Sequence, residues 1–215
     1  MSLSTRLITI LSVALLFAFG ITGCEKKAAE KKAGASPDAP LSAGYEAAIA
    51  AHAGKPIFRP AGTAPAVYGP GDLYSLLVTG KESNNVLFQF EAIVPEGGGP
   101  PPHVHTREDE TFYVVSGNLE ILLGDTTHRA KAGDFVYIPR GTLHRFKNIG
   151  SGKAVQLVTF SPAGVEGFFH EAFPAVKDRK VAPPPITEGL IQKMNEVAPK
   201  YGIKFSPPED SGKKN

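Results

Sequence analysis

Residues 97–117 read GGGPPPHVHTREDETFYVVSG, and residues 133–148 read GDFVYIPRGTLHRFKN. The first stretch carries His103, His105 and Glu110, and the second carries His144. Three imidazoles and one carboxylate make a chemically sensible ligand set for a divalent first-row metal. The spacing suits strands, because side chains at i and i+2 of a strand point to the same face. His103 and His105 can therefore converge on one ion. After Pro139, alternation places His144, Phe146 and Asn148 on one face and Leu143, Arg145 and Lys147 on the other. The charged face belongs in water, which turns His144 inward. By the same rule Glu110, Phe112 and Val114 share a face opposite Tyr113 and Val115. The interior reads as a few ligands in an apolar, aromatic-lined cup, the usual form of a small-molecule site.

Working outward, short strands are expected over 73–79, 86–94, 111–115, 119–123, 135–138, 143–149 and 154–160. Turn signals rich in Gly, Pro, Asn and Asp separate them, as in Ser116-Gly117-Asn118 and Pro139-Arg140-Gly141. Many short strands with regular turns argue for an all-β sandwich or barrel. The runs 86–94 and 119–123 are apolar almost throughout and are expected to be buried on both faces.

Ten positions, Gly97, His103, His105, Glu110, Gly117, Gly133, Pro139, Gly141, His144 and Asn148, match in order and spacing the two motifs of the cupin family. The looser resemblance, in strand rhythm and hydrophobicity, covers 56–172. It implies a cupin jelly-roll β-barrel (a double-stranded β-helix) with a short C-terminal helical extension. The compact spacing and the tail are similar to single-domain, quercetinase-like cupins. That likeness implies a dioxygenase acting on an aromatic or enol-type molecule, with Glu110 as ligand and proton acceptor. It also implies a tendency to form homodimers. A non-catalytic binding protein and a cupin isomerase are the alternatives. Iron, manganese, nickel, cobalt and zinc all suit the His103, His105, Glu110 and His144 set.

The N-terminus has a different character. Arg6 precedes an apolar run over 7–19, and then Ile21-Thr22-Gly23-Cys24 follows. A basic start, a short apolar stretch and small residues describe a secretory signal. The run is shorter than the roughly 20 apolar residues of a membrane span. Ile-Thr-Gly-Cys resembles the bacterial lipobox, which implies cleavage after residue 23 and lipidation of Cys24. Cys24 is the single cysteine, so no internal disulfide can form. The expected organisation is a lipoprotein signal over 1–23 and a lipidated cysteine with a flexible linker over 24–55. The barrel over 56–172 and a Pro-rich tail with one helix over 173–215 complete it. A short helix is expected over 45–53. A linker of about 20 residues spans roughly 25 Å as a coil. The expected location is the bacterial cell envelope, with the chain anchored to a membrane through lipid.

Other classes are excluded or weakened. The net charge of +2 and scattered Lys and Arg give no nucleic-acid surface. The Gly97–Pro102 run lacks the lysine and helix of a phosphate loop. There is no nucleophile elbow, dinucleotide fingerprint or Cys–His pair. His52, His128 and His170 read as surface or packing residues, and Asp109, opposite Glu110 in strand phase, as a surface group. In the tail, Thr187 is expected to cap a helix over 188–198 with Leu190, Met194 and Val197 on one stripe. That helix is expected to cover the barrel exterior.

Overall fold

The computed structural model describes residues 54–206, together with Ala47. The signal-type segment, Cys24, the linker as far as residue 53 with the helix expected over 45–53 (apart from Ala47), His52 and Pro207-Pro208 lie outside the described residues.

Among the described residues, eleven strands, numbered along the chain, form two sheets. The larger sheet runs β1 (Ala66–Tyr68), β2 (Leu73–Val78), β3 (Phe88–Val94), β10 (Ala154–Ser161), β5 (Asp109–Ser116) and β8 (Phe135–Ile138). The smaller runs β11 (Ile203–Phe205), β4 (His103–His105), β9 (His144–Asn148), β6 (Asn118–Leu123) and β7 (Thr126–Lys131). Every named pairing is antiparallel. Chain neighbours such as β5 and β6 lie in different sheets, which makes the two layers a jelly-roll barrel. The seven expected strands are all present, with ends shifted by up to two residues.

The expectation of strands buried on both faces does not hold. β3 alternates strictly, with Phe88, Phe90, Ala92 and Val94 buried and Gln89, Glu91 and Ile93 only half-buried. Val86 is exposed and lies before the strand. In β6, Leu119 and Ile121 are buried while Glu120 and Leu122 are half-buried. The physical reason is the polar residue in each outer row, Gln89 or Glu91 in one case and Glu120 in the other. These groups keep their sheets' outer faces in contact with water. Phe112, Val114, Phe146 and Asn148 face inward as strand phase requires, and Tyr113 and Val115 face outward.

The core lies between the sheets. Phe88 and Phe160 stack at 5.8 Å, and Phe112 meets Phe146 edge to face at 5.6 Å. Burying a side chain of this size is worth about 1.5–3 kcal/mol. Gly99 makes one close approach possible. Its φ is +131°, and a Cβ there would lie 2.1 Å from the Phe146 carbonyl oxygen. The triple glycine is thus a tight passage against β9 that leads the chain into β4.

Three helices complete the description: α1 (Gly80–Ser83), α2 (Glu166–Ala172) and α3 (Glu188–Val197). α1 replaces an expected turn, and a capping box between Thr79 and Glu82 fixes it. α3 matches the expected helix, and Thr187 Oγ1 accepts from Leu190 N at 3.2 Å. A 3₁₀ turn, Ala198–Tyr201, then leads into β11. β11 pairs with β4, Ile203 opposite His105 and Phe205 opposite His103. The tail thus holds a strand as well as a helix. No helix among the described residues is long and apolar enough to cross a membrane.

Candidate metal centre

The four predicted ligands meet. His103 and His105 come from β4 and His144 from β9, where His103 and His144 are directly paired. Glu110 comes from β5 in the opposite sheet, beside Phe160 of β10 and Ile138 of β8. Three imidazoles on one layer therefore face a carboxylate on the other. All four side chains are buried, and one donor atom from each lies within 4.8 Å of the others. Donors about 2.0–2.2 Å from a common ion are at most about 4.4 Å apart. A few tenths of an ångström of closure would bring this set into coordination range.

The ring orientations also fit. His103 Nδ1 lies 3.0 Å from the Pro101 carbonyl, and His144 Nδ1 lies 2.9 Å from that of Thr142. A ring N–H tied to a backbone carbonyl fixes the tautomer and leaves Nε2 free for an ion. Glu110 Oε2 lies 2.7 Å from His144 Nε2 and 3.6 Å from His105 Nε2. Both Glu110 Oε2 and His144 Nε2 are buried without an aligned hydrogen bond. Unpaired buried polar atoms are costly, and here they converge on one point. The donor set, its burial and its unpaired atoms therefore fit a divalent transition metal.

The electrostatics separate two of the histidines. Burial, with His144 and His105 adding to it, holds His103 well below the ordinary imidazole range. Burial also works against a charged His144, but the adjoining Glu110 carboxylate outweighs it and raises the pKa.

Around the donors is a small apolar cup of about 40 Å³. An engineered cavity of about 150 Å³ is what accommodates benzene. Phe90, Phe146 and Phe160 line the barrel side. The C-terminal segment lines the other side with Phe168, Phe169, Met194 and Phe205, among others. The reading of the tail helix as an exterior cover is therefore corrected: Met194 of α3 reaches the cup, and Phe205 sits 5.9 Å from the His103 ring. Gly202 makes the return possible with φ +74°, its carbonyl accepting from Thr106 N at 2.9 Å and Oγ1 at 2.8 Å.

Three groups escaped the sequence reading. Tyr74 lines the cup and donates its hydroxyl to Asp72 Oδ2 at 2.9 Å. The C-terminal phenylalanines carried no spacing that pointed inward. Glu108 is only 2% exposed and faces His105. Strand phase could have found it, since Glu108 and Glu110 are two apart. Asp109, in contrast, faces out and pairs with Arg140 at 2.9 Å, as expected. The guanidinium's hydrogen bond lowers the Asp109 pKa to about 2. His128 and His170 are exposed and take no part.

Known proteins place this arrangement. The family model described as "Cupin domain" matches residues 90–160. A Streptomyces cyaneus protein named polyketide synthase CurC is 31% identical over 121 residues, covering 55% of this chain and 79% of that protein. Germin-like protein 5-1 of Oryza sativa subsp. japonica is 30% identical over 113 residues, covering 48% and 47% respectively. The chain spans about half the length of the germin-like and Aquifex aeolicus relatives it matches. An RmlC-like cupin of known structure from Shewanella frigidimarina superposes with a TM-score of 0.44 at 22% identity, covering 51% of this chain and 94% of that one. With the motifs, the two-sheet barrel and the buried His/Glu cluster in agreement, the chain belongs to the cupin superfamily.

Proposed function

We propose that this protein is a metal-dependent cupin of the bacterial envelope that acts as a dioxygenase on an enol-type small molecule. The observation that carries the reading is Glu110. Its Oε2 is buried, lacks an aligned hydrogen bond, and lies 2.7 Å from His144 Nε2 in a cup walled by phenylalanines. A carboxylate in that setting can take the proton of an enol hydroxyl at Oε2. A bound divalent metal supplies Lewis-acid and redox chemistry. The aromatic wall keeps water away and orients an apolar substrate body. Both atoms of dioxygen enter the product in such a reaction, so no external reductant is needed. The name of the Streptomyces cyaneus relative supports the enol class, because polyketide chains are rich in enolisable carbonyls. The cup of about 40 Å³ favours a small enol over a ring system.

The test is oxygen uptake and product formation by metal-loaded protein across a panel of enediols and catechols. Glu110→Gln is expected to lower turnover by about 10²- to 10⁴-fold, the usual worth of a general base, with a much smaller change in ligand affinity. The small volume also favours a second reading, a binding protein for a metal ion with a small anion. Saturable, metal-dependent binding with no chemical change in the ligand would establish that reading and remove the dioxygenase.

The envelope location rests on Ile21-Thr22-Gly23-Cys24. Acyl chains on Cys24 would hold the domain at a membrane surface without spanning it. Cys24→Ser is expected to abolish acylation and release the protein from membranes. A variant that stays membrane-bound, beside a wild type that remains unprocessed, would contradict the anchor.

A further inference from the structure

The three histidines are not held alike. His103 and His144 each direct Nδ1 to the carbonyl two residues earlier, that of Pro101 or Thr142. For His105 that residue is His103, itself paired on both sides, with Phe205 and with His144. His105 Nδ1 is buried and has no hydrogen-bond partner. Facing it at 3.8 Å is Glu108 Oε2, which is also buried and also without a partner. Their side chains are only 4% and 3% exposed. Arg140, whose charge reaches Glu108, spends its Nε on Asp109.

A carboxylate oxygen buried without a partner is costly, so its retention here needs a compensating interaction. The gap is too wide for a hydrogen bond, which centres near 2.9 Å, and too narrow for a bridging water. Closing it takes about 0.9 Å of movement by the ring or the carboxylate. Glu108 Oε1 has space toward Gly164, where an added Cβ would still lie 3.8 Å from it.

We propose that Glu108 is a positioning residue of the metal centre, its Oε2 accepting the Nδ1–H of His105 so that His105 presents Nε2 to the ion. The inference rests on the metal-binding reading above. It makes the His105 arm a carboxylate–histidine–metal relay, while the other two arms use backbone carbonyls. A carboxylate raises the basicity of its imidazole more than a neutral carbonyl does, and outer partners of this kind typically change metal affinity by 10- to 100-fold.

The test compares wild type, Glu108→Gln and Glu108→Ala as full chains. Metal-free protein is titrated with Co²⁺ against a competing chelator, and the visible absorption of the Co²⁺ form is recorded. Glu108→Ala is expected to bind Co²⁺ up to about 100-fold more weakly, with shifted absorption bands. Glu108→Gln, whose amide oxygen still accepts the N–H, is expected to lose about tenfold and keep an intermediate spectrum. Metal-free Glu108→Ala is expected to melt no lower than metal-free wild type, because it loses a buried oxygen that has no partner. Wild-type affinity and spectrum in both variants would overturn the inference alone, as would lowered metal-free stability with unchanged Co²⁺ binding. A wild type that binds no Co²⁺ would overturn the metal-binding reading as well. Should Glu108→Ala not fold, the isosteric Glu108→Gln decides by the same two readouts.

Discussion

The strands between His103 and Asn148, with β5 among them, carry every donor atom of the centre. The segment from Glu166 to Phe205 carries none of them, yet it contributes Phe168, Phe169, Phe173, Met194, Ile203 and Phe205 to the cup. The first region sets what the site can coordinate, and the second sets what can fit beside the ion. The difference is also one of construction. The donors lie on paired strands inside the barrel. The wall is a helix pair and a three-residue strand, held together through Lys200 and Tyr201 to Glu171 and tied to the barrel through Gly202 to Thr106. Chemistry and shape can therefore be altered separately, and perturbing each region in turn tests how separate they are.

The largest separable effect is expected in the wall. Phe168 is 4% exposed and packs on Phe169 and Phe173 at 5.6 and 5.4 Å. Phe168→Ala is expected to destabilise the fold by about 3–5 kcal/mol in denaturant melts, while metal stoichiometry stays at the wild-type level. It should also admit bulkier ligands, read by competition binding. Loss of the metal with the phenylalanine would show that wall and donors are one unit.

A barrel-side effect of no more than about 4 kcal/mol is expected from Asp72, whose carboxyl burial pushes up from 3.8 to about 7 against the opposing hydrogen bond from Tyr74. Between those two values the folded chain holds a proton that the unfolded chain has lost. Stability should therefore fall as pH rises through that window and level off above about 7. Urea melts of metal-free protein at pH 5, inside the window, and at pH 7.5, above it, should show the fall. Asp72→Asn should flatten the slope, and an unchanged slope would assign it to other groups.

The smallest effect concerns the wall's anchoring. Thr187→Ala removes the cap on Leu190 N and should cost about 1 kcal/mol. Hydrogen exchange should quicken in α3, β11 and the β4 amides that pair with β11, and stay unchanged in β6 and β9, which pair with each other. Faster exchange throughout would mean that the tail and the barrel open together.

The sequence exposed one of these regions far better than the other. The four ligands were legible because strand phase is strict: Glu110 with Phe112 and Val114, and His144 with Phe146 and Asn148, had to share a face. Glu108 obeys the same phase but lies just before β5, where no apolar neighbour marks the inward face. The wall was not legible for three physical reasons. α2 is seven residues long, and its N-cap, Val165, makes no side-chain hydrogen bond, so it gives no start signal. β11 is three residues long, and its pairing with β4 joins residues about 100 apart without a local mark. The apolar stripe of α3 was clear, but a stripe says only that something is covered, and that something proved to be the cup.

The central claim is that His103, His105, Glu110 and His144 form one metal centre. Elemental analysis of the full chain, loaded separately with iron, manganese, cobalt, nickel and zinc and then desalted, tests it most directly. The account predicts one ion per wild-type chain for at least one of these metals. It predicts essentially none in the His103→Ala/His144→Ala double variant, which keeps a folded barrel because its core is apolar. One ion per chain retained in the double variant, or no ion bound by wild type from any of the five, would contradict it.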